Sequence, residues 1–168
     1  IRLNSPVHEI VVRDKQLAGL RTPDGELHFD AIVATVQTPL FVRLTPGLND
    51  EYRHYLNETK YLGIVCPLLV LDRALTGYWT LNITDESIPF TGVIETTSYI
   101  DPKYVGGHHL VYLPKYTQPD SPWFKMSDDE VREVWLQNLE KMFPQFRREW
   151  IKHFLIHRER LVEPIHPL

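Results

Sequence analysis

The stretch Phe29 to Pro46, FDAIVATVQTPLFVRLTP, constrains this chain more than any other. Its apolar run Ala31-Ile32-Val33-Ala34 stops abruptly at Thr35-Val36-Gln37-Thr38-Pro39. A short continuous apolar run closed by polar residues and a proline reads as a strand buried on both faces. A buried strand that ends in a polar turn delivers backbone groups to the edge of a ligand site. The expectation is therefore that the chain is organised around this strand and that its end borders a ligand.

The residues before it read as a β-meander. Pro6 to Val12 forms a first strand, Asp14-Lys15 a turn, and Leu17 to Arg21 an antiparallel return. Thr22-Pro23-Asp24-Gly25 is a second turn, because Pro23 presets φ and Gly25 tolerates a left-handed backbone. Glu26 to Phe29 then starts a third strand that is expected to run on into Ala31 to Ala34.

After Pro46-Gly47 the character changes. Asn49 or Asp50 caps a short helix ending near Asn57. Tyr61 to Leu71 is a nearly continuous apolar run suited to a central strand of a second sheet, and Pro67 within it calls for a bulge or an edge position. Tyr78 to Ile83, Thr91 to Tyr99 and His109 to Tyr116 are further strands, separated by turn-rich pieces, as in an antiparallel sheet. Asp128 to Phe143 is the clearest helix. Ser127 and Glu130 form a capping box, and Met126 with Val131 supplies a hydrophobic staple. Val131, Val134, Trp135, Leu139, Met142 and Phe143 then line one side at helical spacing. Pro144 to Glu149 reads as a second short helix, Trp150 to Arg158 as a last strand, and Val162 to Leu168 as an extended exit. The fold class is α+β, a β-meander followed by a mainly antiparallel sheet covered by helices. Divisions fall at residues 1–48, 49–161 and 162–168.

Composition narrows the functional classes. A net charge of −4 and a pI near 6.1 argue against a nucleic-acid binder, which would carry a basic face. Arg147-Arg148 and His157-Arg158-Glu159-Arg160 are too short to change that and read as solvated faces. The one cysteine, Cys66, excludes an internal disulfide and lies in an apolar run, so it reads as a buried, inert thiol in a reducing, cytoplasmic protein. No apolar stretch approaches the roughly 20 residues needed to span a bilayer, and no signal peptide opens the chain. Peripheral membrane contact is left open. Ile1 opens in what reads as mid-structure, and the expectation is an internal fragment.

Most catalytic patterns are absent. His108 and His109 are adjacent and point to opposite faces of a strand, while His153 and His157 have helical ligand spacing in a strand-like stretch and lack the glutamate of an HExxH motif. No metal site is expected. There is no G-x-S-x-G elbow, no G-x-G-x-x-G and no P-loop, so the chain has no phosphate cradle of its own. Asn57-Glu58-Thr59 and Asn82-Ile83-Thr84 match the glycosylation acceptor pattern and read as chance. Aromatic residues between Tyr78 and Phe124 are dense. They read either as sheet core and turn packing or as a broad apolar pocket for a bulky substrate.

The pattern resembles the flavin-containing amine oxidase superfamily, with protoporphyrinogen oxidases and phytoene-desaturase-like enzymes. The resemblance rests on Asn4-Ser5-Pro6-Val7-His8-Glu9-Ile10, the hairpin Leu17-Ala18-Gly19-Leu20-Arg21-Thr22-Pro23-Asp24-Gly25-Glu26 and the return Phe29 to Val36 followed by Thr38-Pro39. The exit Glu163-Pro164-Ile165-His166-Pro167-Leu168 resembles the segment that leads back to the flavin domain. The resemblance implies an FAD-dependent oxidoreductase in which a substrate C–H bond delivers a hydride to the flavin, oxidising an amine or desaturating a hydrophobic molecule. It implies that Val7 lies at the adenine of FAD and that Thr35 and Val36 lie near the cofactor. Residues 1–48 would then be part of the FAD-binding domain, 49–161 the substrate-binding domain and 162–168 the exit. No catalytic residue is assigned. The glycine-rich motif of such proteins would lie upstream of Ile1, so this chain alone is expected to hold FAD poorly and to be inactive. The alternatives are a non-catalytic module that binds a lipid or protein partner, and a different FAD family of the glucose–methanol–choline or succinate-dehydrogenase kind.

Overall fold

Two residues with positive φ set the first hairpin. In the computed structural model, which describes residues 1–165, Asp14 and Lys15 adopt φ of 51° and 64°. That is the twist of a two-residue primed turn, which matches the twist of the strands it joins. It connects β1 (Glu9–Arg13) to β2 (Gln16–Thr22), and Pro23-Asp24 connects β2 to β3 (Gly25–His28). The three strands form an antiparallel sheet in the order β1-β2-β3. Its register places Ile10 opposite Leu20 and Leu20 opposite Leu27. Gly19 is required here, because a Cβ at this position would lie 1.9 Å from the Leu27 carbonyl oxygen. A bidentate Arg13–Glu26 pair at 2.7 and 2.8 Å and an Arg21–Glu9 pair tie the strands on their exposed side.

This meander belongs to the first of two compact units, residues 1–60 with 164–165; the second comprises residues 61–163. The division between these two compact units falls after Lys60. Two short helices complete the first unit. α1 (Thr38–Leu44) carries a proline in its first turn, where the missing N–H costs nothing. α2 (Asp50–Asn57) is capped by Asn49, whose side chain accepts the Tyr52 N–H at 2.8 Å. Val42 and Leu56 are the buried residues of these helices, while Tyr52 and Tyr55 stack on each other at the surface.

The expected buried strand at Ala31 to Ala34 is corrected by the structure. β3 ends at His28, residues 29–36 belong to no strand, and Phe29, Val33 and Val36 are exposed. A strand apolar on both faces needs neighbours to pair with it and cover it, and no strand among the described residues pairs with this run. The helix α1 was also not anticipated; Thr38-Pro39 begins a helix and does not merely close a turn.

In the second unit, β4 (Lys60–Leu71) is the central strand. Around it lie β5 (Thr80–Asn82), β6 (Gly92–Glu95), β7 (His109–Tyr112), β8 (Lys115–Thr117) and β9 (Ile151–Ile165). The path runs β5-β6-β7-β4, with β8 and β9 also pairing with β4. Leu68 faces Tyr112 and Val65 faces Lys115, so β7 and β8 follow β4 in one unbroken register. Pro67 therefore lies opposite Leu113, at the break between β7 and β8, with no residue inserted on either side. It needs neither the bulge nor the edge that the sequence suggested. Leu113 N–H still donates to the Pro67 carbonyl at 2.9 Å, but Pro67 has no N–H to return. The indole N–H of Trp135 donates to the Leu113 carbonyl instead, at 2.9 Å.

Trp135 sits on α3 (Asp128–Met142), which covers one face of this sheet. Val65, Leu69, Val93 and Val111 from the strands, with Leu113 just after β7, meet Val131, Trp135 and Leu139 from the helix, all fully buried. The capping box at Ser127 and Glu130 is present in both directions, at 3.2 Å and 2.8 Å, and Met126 packs against the cluster that holds Val131. Replacing Ser127 by Ala is expected to lower stability by about 1 kcal/mol. An unchanged urea midpoint for that variant would remove the capping assignment.

The expected helix at Pro144 to Glu149 is absent, and only a 3-10 turn at Arg148–Trp150 forms. The Arg147 guanidinium takes the Pro144 and Phe146 carbonyls, which a helix would have bonded to later N–H groups. The last strand is longer than expected and reaches Ile165; His166 to Leu168 of the proposed exit lie outside the described residues. Among the described residues no helix is long and apolar enough to cross a membrane.

Candidate functional site

The alternation of β4 builds the most distinctive surface of the second unit. Its odd-numbered residues, Tyr61 to Leu71, are buried, those at the centre under α3, while Leu62, Ile64, Cys66, Leu68 and Val70 point the other way and are half-buried. The neighbouring strands continue this second face. Leu68, Tyr112 and Ile94 form one row across three strands, Val70 pairs with Leu110, and Ile64 pairs with Tyr116. None of these residues belongs to the core cluster under α3. An antiparallel sheet with one covered face is ordinarily polar on the other. Here both faces are apolar, and a contiguous apolar face of this kind marks a binding surface.

Chemically the face offers apolar contact and little else. Its polar groups are the hydroxyls of Tyr112 and Tyr116 and the thiol of Cys66, and burial pushes that thiol up to about 11, so it stays protonated and inert at neutral pH. No carboxylate or imidazole belongs to the rows named above. These rows can bind, orient and exclude water.

The one buried charge of the unit lies elsewhere. Glu95 is fully buried, and its carboxylate accepts the backbone N–H groups of Leu75, Thr76 and Gly77 at 2.9, 2.7 and 3.1 Å and the Thr76 hydroxyl at 2.7 Å. Burial opposes its ionisation, but these four donors prevail and hold the carboxyl below its ordinary 4.5. His109 Nδ1 lies 3.7 Å away, beyond hydrogen-bond reach. Glu95 organises the Leu75–Gly77 turn. The sequence offered no local signal for it, since its partners lie 18 to 20 residues away.

The three cofactor residues suggested by the sequence all fall in the first unit. Val7 is half-buried just before β1, where His8 N–H donates to the Arg21 carbonyl at 2.8 Å. Thr35 and Val36 are exposed at the end of the unpaired run, directly before α1. Among the described residues no hydrogen bond joins Val7 to either of them. The dense aromatics divide three ways. Phe90, Trp123 and Phe124 belong to the core; Tyr112 and Tyr116 lie on the apolar face; Tyr78, Trp79, Tyr99 and Tyr104 are exposed. His153 and His157 lie on β9, a strand, and among the described residues no group of three metal-ligating side chains converges.

Comparison with known proteins places this architecture. An oxidoreductase from Methanosarcina mazei is 20% identical and superimposes with a TM-score of 0.69 over 94% of this chain and 37% of its own. A protein assigned as a protoporphyrinogen oxidase from Exiguobacterium sp. is 17% identical, with a TM-score of 0.68 over 98% of this chain and 36% of its own. A reduced UDP-galactopyranose mutase is 16% identical, with a TM-score of 0.64 over 88% of this chain and 33% of its own. At these identities the likeness is one of fold, and the chain spans about a third of each of these proteins. No curated protein matches it in sequence. The family model for flavin containing amine oxidoreductases, however, matches residues 1–159. The chain belongs to the flavin-containing amine oxidoreductase family.

Proposed function

We propose that the second unit is the substrate-binding part of an FAD-dependent oxidoreductase and that its apolar sheet face is a wall of the substrate pocket. The observation that supports this is the sheet that is apolar on both sides, one side covered by α3 and the other built from Leu62, Ile64, Leu68, Val70, Ile94, Leu110 and Tyr112. Such a wall suits a bulky hydrophobic molecule, or an amine on an apolar body.

The first unit is read as one edge of the FAD-binding domain. The run 29–36 is extended, unpaired and exposed, with Val33 and Val36 at the surface, which is compatible with a cofactor lying along it near Thr35 and Val36 and beside Val7. FAD supplies the hydride acceptor when bound. The residues of the apolar face orient the substrate and exclude water. The family's phosphate-gripping glycine motif is not in this sequence, so the isolated chain is expected neither to retain FAD nor to turn over.

The test uses the FAD-loaded parent protein. Replacing Leu68 by Arg puts a charge into the centre of the Ile94–Tyr112–Leu68 row. The expected result is unchanged FAD content with KM raised roughly tenfold or more for a hydrophobic or amine substrate. Anaerobic flavin reduction that proceeds with wild-type KM would remove the assignment of this face.

A further inference from the structure

A second site lies on the helix-covered side of the second unit. A cleft of about 540 Å³ opens between α3 and the first part of β9. Arg132, Arg148, Lys152 and His153 supply its polar lining, and Leu136 and Phe154 are among the apolar residues beneath them; no Asp or Glu lines it.

The cations differ in how far they are neutralised. Arg148 is held by two carboxylates of α3, Glu133 at 2.8 Å and Glu140 at 2.7 Å, and the hydrogen bonds that Arg148 and then Gln137 donate to Glu133 lower its carboxyl to about 2. Lys152 pairs with Asp72 at 3.0 Å. Arg132 has no carboxylate partner among the described residues. Its guanidinium lies 4.6 Å from the centre of the Phe154 ring and reaches the Phe154 carbonyl at 3.5 Å. Both contacts fix the plane of the guanidinium and leave its charge uncompensated. A planar, oriented, unneutralised guanidinium over an apolar floor is the arrangement that recognises carboxylate or phosphate.

We propose that this cleft binds a small organic anion, a phosphate or carboxylate carried on an apolar body, with Arg132 as its anchor and Lys152 beside it. None of these residues belongs to the apolar sheet face, so the cleft is a separate site, independent of the substrate assignment.

The test is titration of phenyl phosphate into the 168-residue chain, followed by two-dimensional amide NMR. Saturable shifts are expected within residues 132–136 and 148–155, weakening as salt is raised. Inorganic phosphate is expected to bind more weakly at the same residues, and Arg132→Gln to bind phenyl phosphate roughly tenfold more weakly or worse. Arg132 is exposed, and unchanged shifts elsewhere in Arg132→Gln verify that the variant is folded. The proposal is overturned by equal binding to Arg132→Gln, by equally tight binding of neutral benzyl alcohol, or by no saturation up to about 10 mM.

Discussion

Replacing Glu95 by Ala is expected to destabilise the second unit by about 3–5 kcal/mol, a large part of the 5–15 kcal/mol typical of a domain. The reason is what the substitution leaves behind. Leu75, Thr76 and Gly77 would present three N–H groups and a hydroxyl to a space without an acceptor, and each unsatisfied buried donor costs about 1–3 kcal/mol. Glu95→Gln is the sharper probe, because it keeps the volume and removes the charge. The folded carboxyl lies below its ordinary 4.5, so its contribution is fully present above that pH and is lost as pH falls through the lower folded value. Urea unfolding of wild type and Glu95→Gln should therefore differ most above about pH 4.5 and converge below it. Parallel stability profiles across that range would remove the charged role of Glu95.

What could be read from the sequence was local. The turn at Asp14-Lys15, the Asn49 cap and the capping box at Ser127 and Glu130 each depend on residues within one turn of each other, and all are present. The periodicity of 128–143 identified the buried side of α3 because a helix carries its own spacing. Features set by distant partners were not legible. Ala31 to Ala34 has the composition of a buried strand, but a strand exists only where another pairs with it, and composition cannot supply the neighbour. Pro67 looked like a ladder breaker because the donor that replaces its N–H sits on a helix far along the chain. The Glu95 carboxylate was invisible for the same reason.

The candidate site divides along the same line. The apolar run Tyr61 to Leu71 identified a central strand, but a continuous run does not reveal that one face is covered and the other is not. That follows only once α3 is seen to take the odd-numbered side. Family membership was legible from the hairpin and return motifs at the start of the chain, and the match over residues 1–159 supports it. On the proposed reading the cofactor does the hard chemistry and the apolar face supplies shape and water exclusion, which makes Leu68 and Tyr112 the first targets to test.

Trp135 is expected to be the most sensitive position of the core, and its role can be separated into two parts. Trp135→Ala should cost about 3–5 kcal/mol, the value for emptying a fully buried aromatic site. Here the ring packs edge-on against Trp123 at 5.2 Å and stacks on Phe90 at 6.2 Å. Trp135→Phe keeps most of the packing but deletes the indole N–H, leaving the Leu113 carbonyl unbonded at about 1–3 kcal/mol. The carbonyl is short of a donor only because the residue opposite it is Pro67. Pro67→Ala would return a backbone N–H at that register position. In the Pro67→Ala background, Trp135→Phe should therefore cost less than in wild type, by about 0.5–1.5 kcal/mol, the net worth of one hydrogen bond. Strict additivity of the two substitutions in urea unfolding would show that the indole does not substitute for the missing proline donor, and the account of how this strand tolerates its proline would fail with it.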